Sequence, residues 1–235
     1  MIRFLLFGFA VPMAVSQQED FLVGYWAFDE GKGDTVSDQS GKGNNGKING
    51  KVKWVSGKVD KAIEFEPGAC IDVPDAESIR NVKEVTVAMW VQMKGLSADW
   101  NHLLERDGSY GITINSGSKT FRYSPNSAQV WIESDFKVST DTLYHIAMVW
   151  DNKGVGAFYV NAKKVHESKG VLAVTNVTLN IAHCGAFLVN GMIDEVKIWN
   201  KALQDREVEI AMAGVKAVSS QEKLAVTWAS LKQKS

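Results

Sequence analysis

From Val85 to Val91 the apolar side chains Val85, Val87, Met89 and Val91 fall on every second residue, the repeat of a strand with one buried face. The same signal recurs in short bursts along the chain. Ala62-Ile63-Glu64-Phe65 and Cys70-Ile71-Asp72-Val73 flank Pro67-Gly68, and Ile146 to Trp150 is apolar throughout, as a strand covered on both faces would be. Gly156 to Val160, Val177 to Ile181 and Val196 to Trp199 follow. Turn signals separate these runs at Asn49-Gly50, Asp107-Gly108, Ser116-Gly117 and Asn190-Gly191. Many short strands without long amphipathic helices between them argue for an all-β, two-sheet antiparallel sandwich or jelly roll, and against an α/β fold. Helix is expected only as one turn over Asp75 to Asn81 and as a short segment over Leu203 to Met212.

A chain of 235 residues fits one large β-sandwich. With 45% apolar and 23% charged residues it is an ordinary soluble composition. The formal net charge is −1, with no basic block. A nucleic-acid binder needs a cationic face to displace counterions, so that class is excluded.

The start of the chain reads as an export signal. Arg3 precedes the apolar run Phe4 to Val15, and Ala14-Val15-Ser16 offers the small residues a signal peptidase reads. The expected division is a signal peptide over 1–16, one domain over 17–213 and a polar tail over 214–235; a buried first strand or helix is the alternative for the opening run. The run is short for a bilayer span, and no later segment is as apolar. Export to the cell surface or medium would place Cys70 and Cys184, the only two cysteines, in an oxidising compartment. A disulfide between them and a pair of buried thiols in neighbouring strands are both compatible with the sequence.

Several phrases, in order, resemble the laminin-G-like jelly roll of the concanavalin A-like lectin and glucanase superfamily. They are Gly24 to Gly33, Asp38 to Gly46, Trp54 to Lys58 leading to Ala62 to Phe65, the strand ending in Trp90-Val91, His145-Ile146-Ala147, Tyr159-Val160-Asn161, and Gly191 to Asn200. Together they cover about residues 21 to 212. One departure is Asn161-Ala162, where the family often has Asn-Gly; alanine in a left-handed turn costs about 1 kcal/mol or more.

The resemblance implies a structural calcium ion held by Asp29, Asp38, Asn44 and Asp194, brought together because the first and last strands of such a jelly roll are neighbours. Hard oxygen donors of this kind suit Ca²⁺. The same Asp-x-Ser-Gly-x-Gly-Asn stretch is also a good turn, in which the side chains cap backbone amides. Zinc is a poor alternative, because His102, His145, His166 and His183 lack ligand spacing.

Glucanases of this superfamily place two carboxylates on one strand, about 5 Å apart in retaining enzymes. No Glu-x-Asp-x-x-Glu occurs here, and no Gly-x-Ser-x-Gly. The expectation is a non-catalytic binding module for a carbohydrate, with an extracellular protein ligand as the alternative. Sugars stack their C–H faces on aromatic rings, which makes Trp100, expected in an exposed loop, Tyr123 and Trp131 the candidate ligand contacts, with a place in the core as the alternative for each. Trp26, Trp54, Trp90, Trp150 and Trp199 read as core.

Overall fold

The computed structural model describes residues 18–80, 83–96, 99–185 and 187–213. The expected signal peptide and C-terminal tail lie outside these residues. Within them sixteen strands follow in chain order: β1 (Leu22–Trp26), β2 (Thr35–Val36), β3 (Gly46–Asn49), β4 (Val52–Ser56), β5 (Lys61–Phe65), β6 (Cys70–Val73), β7 (Val85–Gly95) and β8 (Trp100–Arg106); then β9 (Gly111–Asn115), β10 (Thr120–Asn126), β11 (Val130–Lys137), β12 (Leu143–Trp150), β13 (Val155–Val160), β14 (Lys163–Lys169), β15 (Leu179–Ala182) and β16 (Asn190–Trp199). Helix α1 (Glu77–Arg80) lies between β6 and β7, and α2 (Asp205–Ala213) follows β16. Both expected helices are therefore present, displaced by one or two residues at their ends.

The strands form two antiparallel sheets. The first runs β14-β13-β12-β7-β16-β5-β4 with β1 added on β16, and the second runs β11-β10-β9-β8-β15-β6-β3-β2. The first and last strands pair, Tyr25 opposite Lys197 and Trp26 opposite Val196. The sandwich expected from the alternation is the fold found.

The apolar stripes face inward between the sheets. Val85, Val87, Met89, Val91, Ile146, Met148 and Ile193 from the first sheet meet Ile71, Leu104, Ile112, Ile114, Phe121 and Ile181 from the second, all nearly or wholly buried. Each such side chain contributes about 1.5–3 kcal/mol relative to exposure. Ala88, Ala147, Val149, Ala157, Tyr159 and Trp199, on the other face of the first sheet, are covered by Leu203 and by Val208 of α2. This explains why β12 reads as apolar on both faces.

Two local outcomes refine the sequence reading. The β13–β14 hairpin is a two-residue turn with Asn161 at φ 49° and Ala162 at φ 61°, so the alanine accepts the left-handed conformation and its steric cost. Tyr123 is not a surface residue. It is wholly buried in the second sheet's inner layer, stacked on Phe158 with ring centroids 5.2 Å apart, and its hydroxyl lies 2.9 Å from His166 Nδ1 and 2.8 Å from Ser168 Oγ. Its aromatic area serves the core, which corrects its expected ligand role.

Candidate functional site

Strand β8 carries the densest polar and aromatic grouping on the outer face of the second sheet. Regular alternation would put His102 and Glu105, three residues apart, on opposite faces. A bulge between His102 and Leu104 shifts the register, and the extra residue turns both side chains outward. His102 Nδ1 then lies 2.5 Å from Glu105 Oε2, with both residues nearly buried. Burial pushes the Glu105 carboxyl up, but hydrogen bonds from His102 and Ser127 and the charges of His102 and His183 outweigh it and hold the group below its ordinary range.

Around this pair the rings close in. His102 stacks on Phe187 with centroids 4.4 Å apart and planes 11° from parallel. Trp131 approaches His102 at 5.1 Å and Trp100 at 6.0 Å. Gly111, on the neighbouring strand β9, makes room for this. A Cβ built there would lie 2.9 Å from Trp131 Cη2, so the indole of β11 reaches across β9 only because position 111 has no side chain.

The result is an open cleft of about 390 Å³ lined by Trp100, His102, Glu105, Asp107, Ser127, Trp131, Asn180, His183 and Phe187. Its far wall is the connection after β15. Cys184 in that connection forms a disulfide with Cys70 of β6, Cα to Cα 5.1 Å, which anchors the segment bearing His183 and Phe187. Burial, then the neighbouring His102, lowers the His183 pKa.

Trp100 and Trp131, two of the three aromatic candidates, both line this cleft, although Trp100 opens strand β8 rather than sitting in a loop. Sequence reasoning missed His102, Glu105, Asp107, Asn180, His183 and Phe187. The Trp-x-His pattern at 100–102 was available, but the pairing of His102 with Glu105 depends on a bulge that alternation does not foresee.

The four expected calcium ligands do not form one set. Asp38 Oδ1 accepts from the backbone N–H of Tyr25 and Ser40, each at 2.9 Å, and Oδ2 accepts from Ser40 Oγ at 2.8 Å and Asn44 N–H at 2.9 Å. Four donors already occupy the carboxylate, which is the turn-capping alternative. Asn44 spends its amide on the Val23 carbonyl and on Ser78. Asp29 Oδ1 accepts from Lys61 N–H at 3.0 Å, and Asp194 Oδ2 from Lys58 and Val59 N–H at 2.7 and 3.2 Å, so these two hold the β4–β5 hairpin instead. Among the described residues the carboxylates of Asp29, Asp38 and Asp194 do not cluster within ligand range of one another; the one such group is Cys70, Asp72 and Cys184, whose sulfurs are bonded to each other. A shared calcium ion does not fit these residues.

The sequence profile of the Laminin_G_3 family, described as the concanavalin A-like lectin/glucanases superfamily, matches residues 67–209, more than half of the chain. The chain belongs to this superfamily. No curated protein matches it in sequence. Among solved structures, domain 4 of AbnA, an extracellular GH43 arabinanase from Geobacillus stearothermophilus, in complex with arabinotriose, is similar with a TM-score of 0.67 and 21% identity, over 81% of this chain and 97% of that one. The binding domain of Paraclostridial Mosquitocidal Protein 1 is similar with a TM-score of 0.67 and 21% identity, over 83% of this chain and 52% of that one. A Trypanosoma rangeli sialidase gives a TM-score of 0.63 and 15% identity, over 81% of this chain but 32% of that one. This superfamily member thus spans nearly all of the arabinanase domain, about half of the toxin domain and about a third of the sialidase. At these identities the likeness is one of fold.

Proposed function

We propose that this jelly roll is a non-catalytic, exported carbohydrate-binding module, and that its site is the cleft on the outer face of the second sheet. The observation carrying the reading is the convergence of the Trp100, Trp131 and Phe187 rings beside Glu105, Asp107 and Asn180 in one open cleft. Rings take the C–H face of a sugar while carboxylate and amide oxygens take its hydroxyls. The similar arabinanase domain was solved with arabinotriose, which supports a glycan as the ligand class.

Absence of turnover is part of the proposal. The one carboxylate buried in the cleft, Glu105, is held ionised by His102 and Ser127, whereas a glycosidase acid must keep its proton near neutral pH. Export is supported by the disulfide, a bond favoured in oxidising compartments. Among the described residues no helix is long and apolar enough to cross a membrane.

The test is calorimetry of the purified domain with oligosaccharides, in parallel with Trp100→Ala and Trp131→Ala. Loss of one stacking ring is expected to weaken binding about two- to tenfold, given about 0.5–1.5 kcal/mol for such contacts. Unchanged affinity in both variants would remove the cleft from the reading. A protein ligand is the second reading, favoured by the exposed Val171, Val174 and Val177 on one segment; it predicts binding that these tryptophan variants leave intact.

A further inference from the structure

The charged hydrogen-bonding groups of the cleft are acceptors, the carboxylates of Glu105 and Asp107. Some of the donors that line it are spent on neighbours. Ser127 accepts from Gly108 N–H at 2.9 Å and gives its own proton to Glu105. Asn180 Nδ2 donates to Asp72 Oδ1 at 2.6 Å, leaving its Oδ1 as an acceptor. His102 Nδ1 is engaged with Glu105. Acceptors remain on Glu105, on the carboxylate of exposed Asp107 and on the Asn180 oxygen, beside the indole N–H groups of Trp100 and Trp131 and the ring of His183, whose Nδ1 has no partner among the described residues.

Glu105 and Asp107 line the cleft together with His102 and His183, and among the described residues no lysine or arginine does. The guanidinium of Arg122 stands outside it, 4.8 Å from the centroid of the Trp100 ring, and is paired with Glu133 at 2.7 Å. Two carboxylates set among three aromatic rings attract a cation twice over, through charge and through the negative ring faces.

We infer that the cleft takes an amino sugar, a glycan residue bearing a free ammonium group, in preference to neutral or acidic sugars. This rests on the carbohydrate reading above and narrows it. An ammonium supplies three donors to the unfilled acceptors and a charge opposite to Glu105 and Asp107. An N-acetylated sugar supplies one amide donor and no charge. A uronic acid sets a third carboxylate against the two already present and is rejected.

The experiment compares three probes of similar size by calorimetry at about pH 6.5, below the ordinary range of an amine and at the usual imidazole value: a glucosamine tetramer, its fully N-acetylated counterpart, and a galacturonic acid tetramer. The first is expected to bind about tenfold or more tightly than the second, from a desolvated cation–ring contact and a carboxylate partner, and the third not at all. Glu105→Gln is expected to abolish most of that preference while retaining the N-acetylated ligand. Asp107→Asn, at an exposed position, is expected to reduce it in the same direction and guards against misfolding of the first variant. Salt should weaken the glucosamine tetramer selectively. Equal binding of the first two probes, or binding of the galacturonate, overturns the amino-sugar inference while leaving the cleft as a carbohydrate site. Failure of all three probes and of neutral oligosaccharides overturns both.

Discussion

Replacing Asp194 with asparagine isolates the cost of one buried charge. The side chain is wholly buried. Its Oδ2 is held by two backbone N–H groups of the β4–β5 hairpin, but Oδ1 has no partner among the described residues. Burial, partly offset by the Val59 and Lys58 amides and reinforced by the Glu195 charge, raises the carboxyl from 3.8 to about 7. The folded chain therefore binds this proton more tightly than the unfolded chain. Between about pH 4 and 7 the native state holds a proton that the unfolded state has released, so stability falls as pH rises through that window and the full cost stands above it. At about 1.4 kcal/mol for each tenfold the upper limit is about 4 kcal/mol, less whatever relaxation around the charge recovers. The asparagine of D194N would still accept both hairpin amides through its oxygen, while its buried amide group, lacking an acceptor, costs about 1–2 kcal/mol. D194N is thus expected to be more stable than the parent by about 2 kcal/mol at pH 8, raising Tm by about 4–8 °C for a domain of this size. At pH 5, where the parent carboxyl is already protonated, that advantage disappears. Urea denaturation of both proteins at the two pH values reads the difference directly. If D194N loses stability at pH 8 and less at pH 5, the carboxylate has a favourable partner such as a bound cation, and the reasoning fails.

Other perturbations bear on separate parts of the fold. A thermal melt in excess calcium and then in chelator is expected to superimpose, because Asp38 is saturated by protein donors; an ion bound at about 100 times its dissociation constant would instead add about 2.7 kcal/mol. Cys184→Ser opens a loop that spans 114 residues of sequence; by chain entropy it loses as much as about 4–5 kcal/mol, and because it frees the segment bearing His183 and Phe187, glycan affinity should fall at temperatures where the variant remains folded. Binding unaffected by that release would separate the disulfide from the site. Ala162→Gly relieves the left-handed alanine and should stabilise by up to about 1 kcal/mol in denaturant titration; a loss would mean that the glycine's extra unfolded-state freedom outweighs the strain.

The class of fold was legible because its cause is local. Alternation at Val85 to Val91, the apolar run at Ile146 to Trp150 and the regularly spaced turn residues each state a strand or its end, and no segment offers helical periodicity long enough to compete. Trp100 and Trp131 could be named from the sequence as candidates, since aromatic residues beside polar ones are the general chemistry of sugar contact; that they line one cleft is a tertiary fact. Tyr123 stayed ambiguous because a tyrosine looks alike in the core and at a surface; strand β10 turns it inward, and partners from β14 satisfy its hydroxyl. The expected calcium set failed for a related reason. Residue type announces an oxygen, but only the folded loop reveals that Asp38 spends four acceptances on its own surroundings while Asp194 faces a different hairpin. The pairing of His102 with Glu105 is the plainest case. Sequence supplied both side chains, and an ideal strand would have parted them; one extra residue in the ladder, the Trp131 ring passing over Gly111, and a disulfide that pins His183 and Phe187 bring distant side chains to one cleft. Local periodicity sets secondary structure residue by residue, whereas a site joins positions far apart in the chain, and their distances exist only once the sheets have closed.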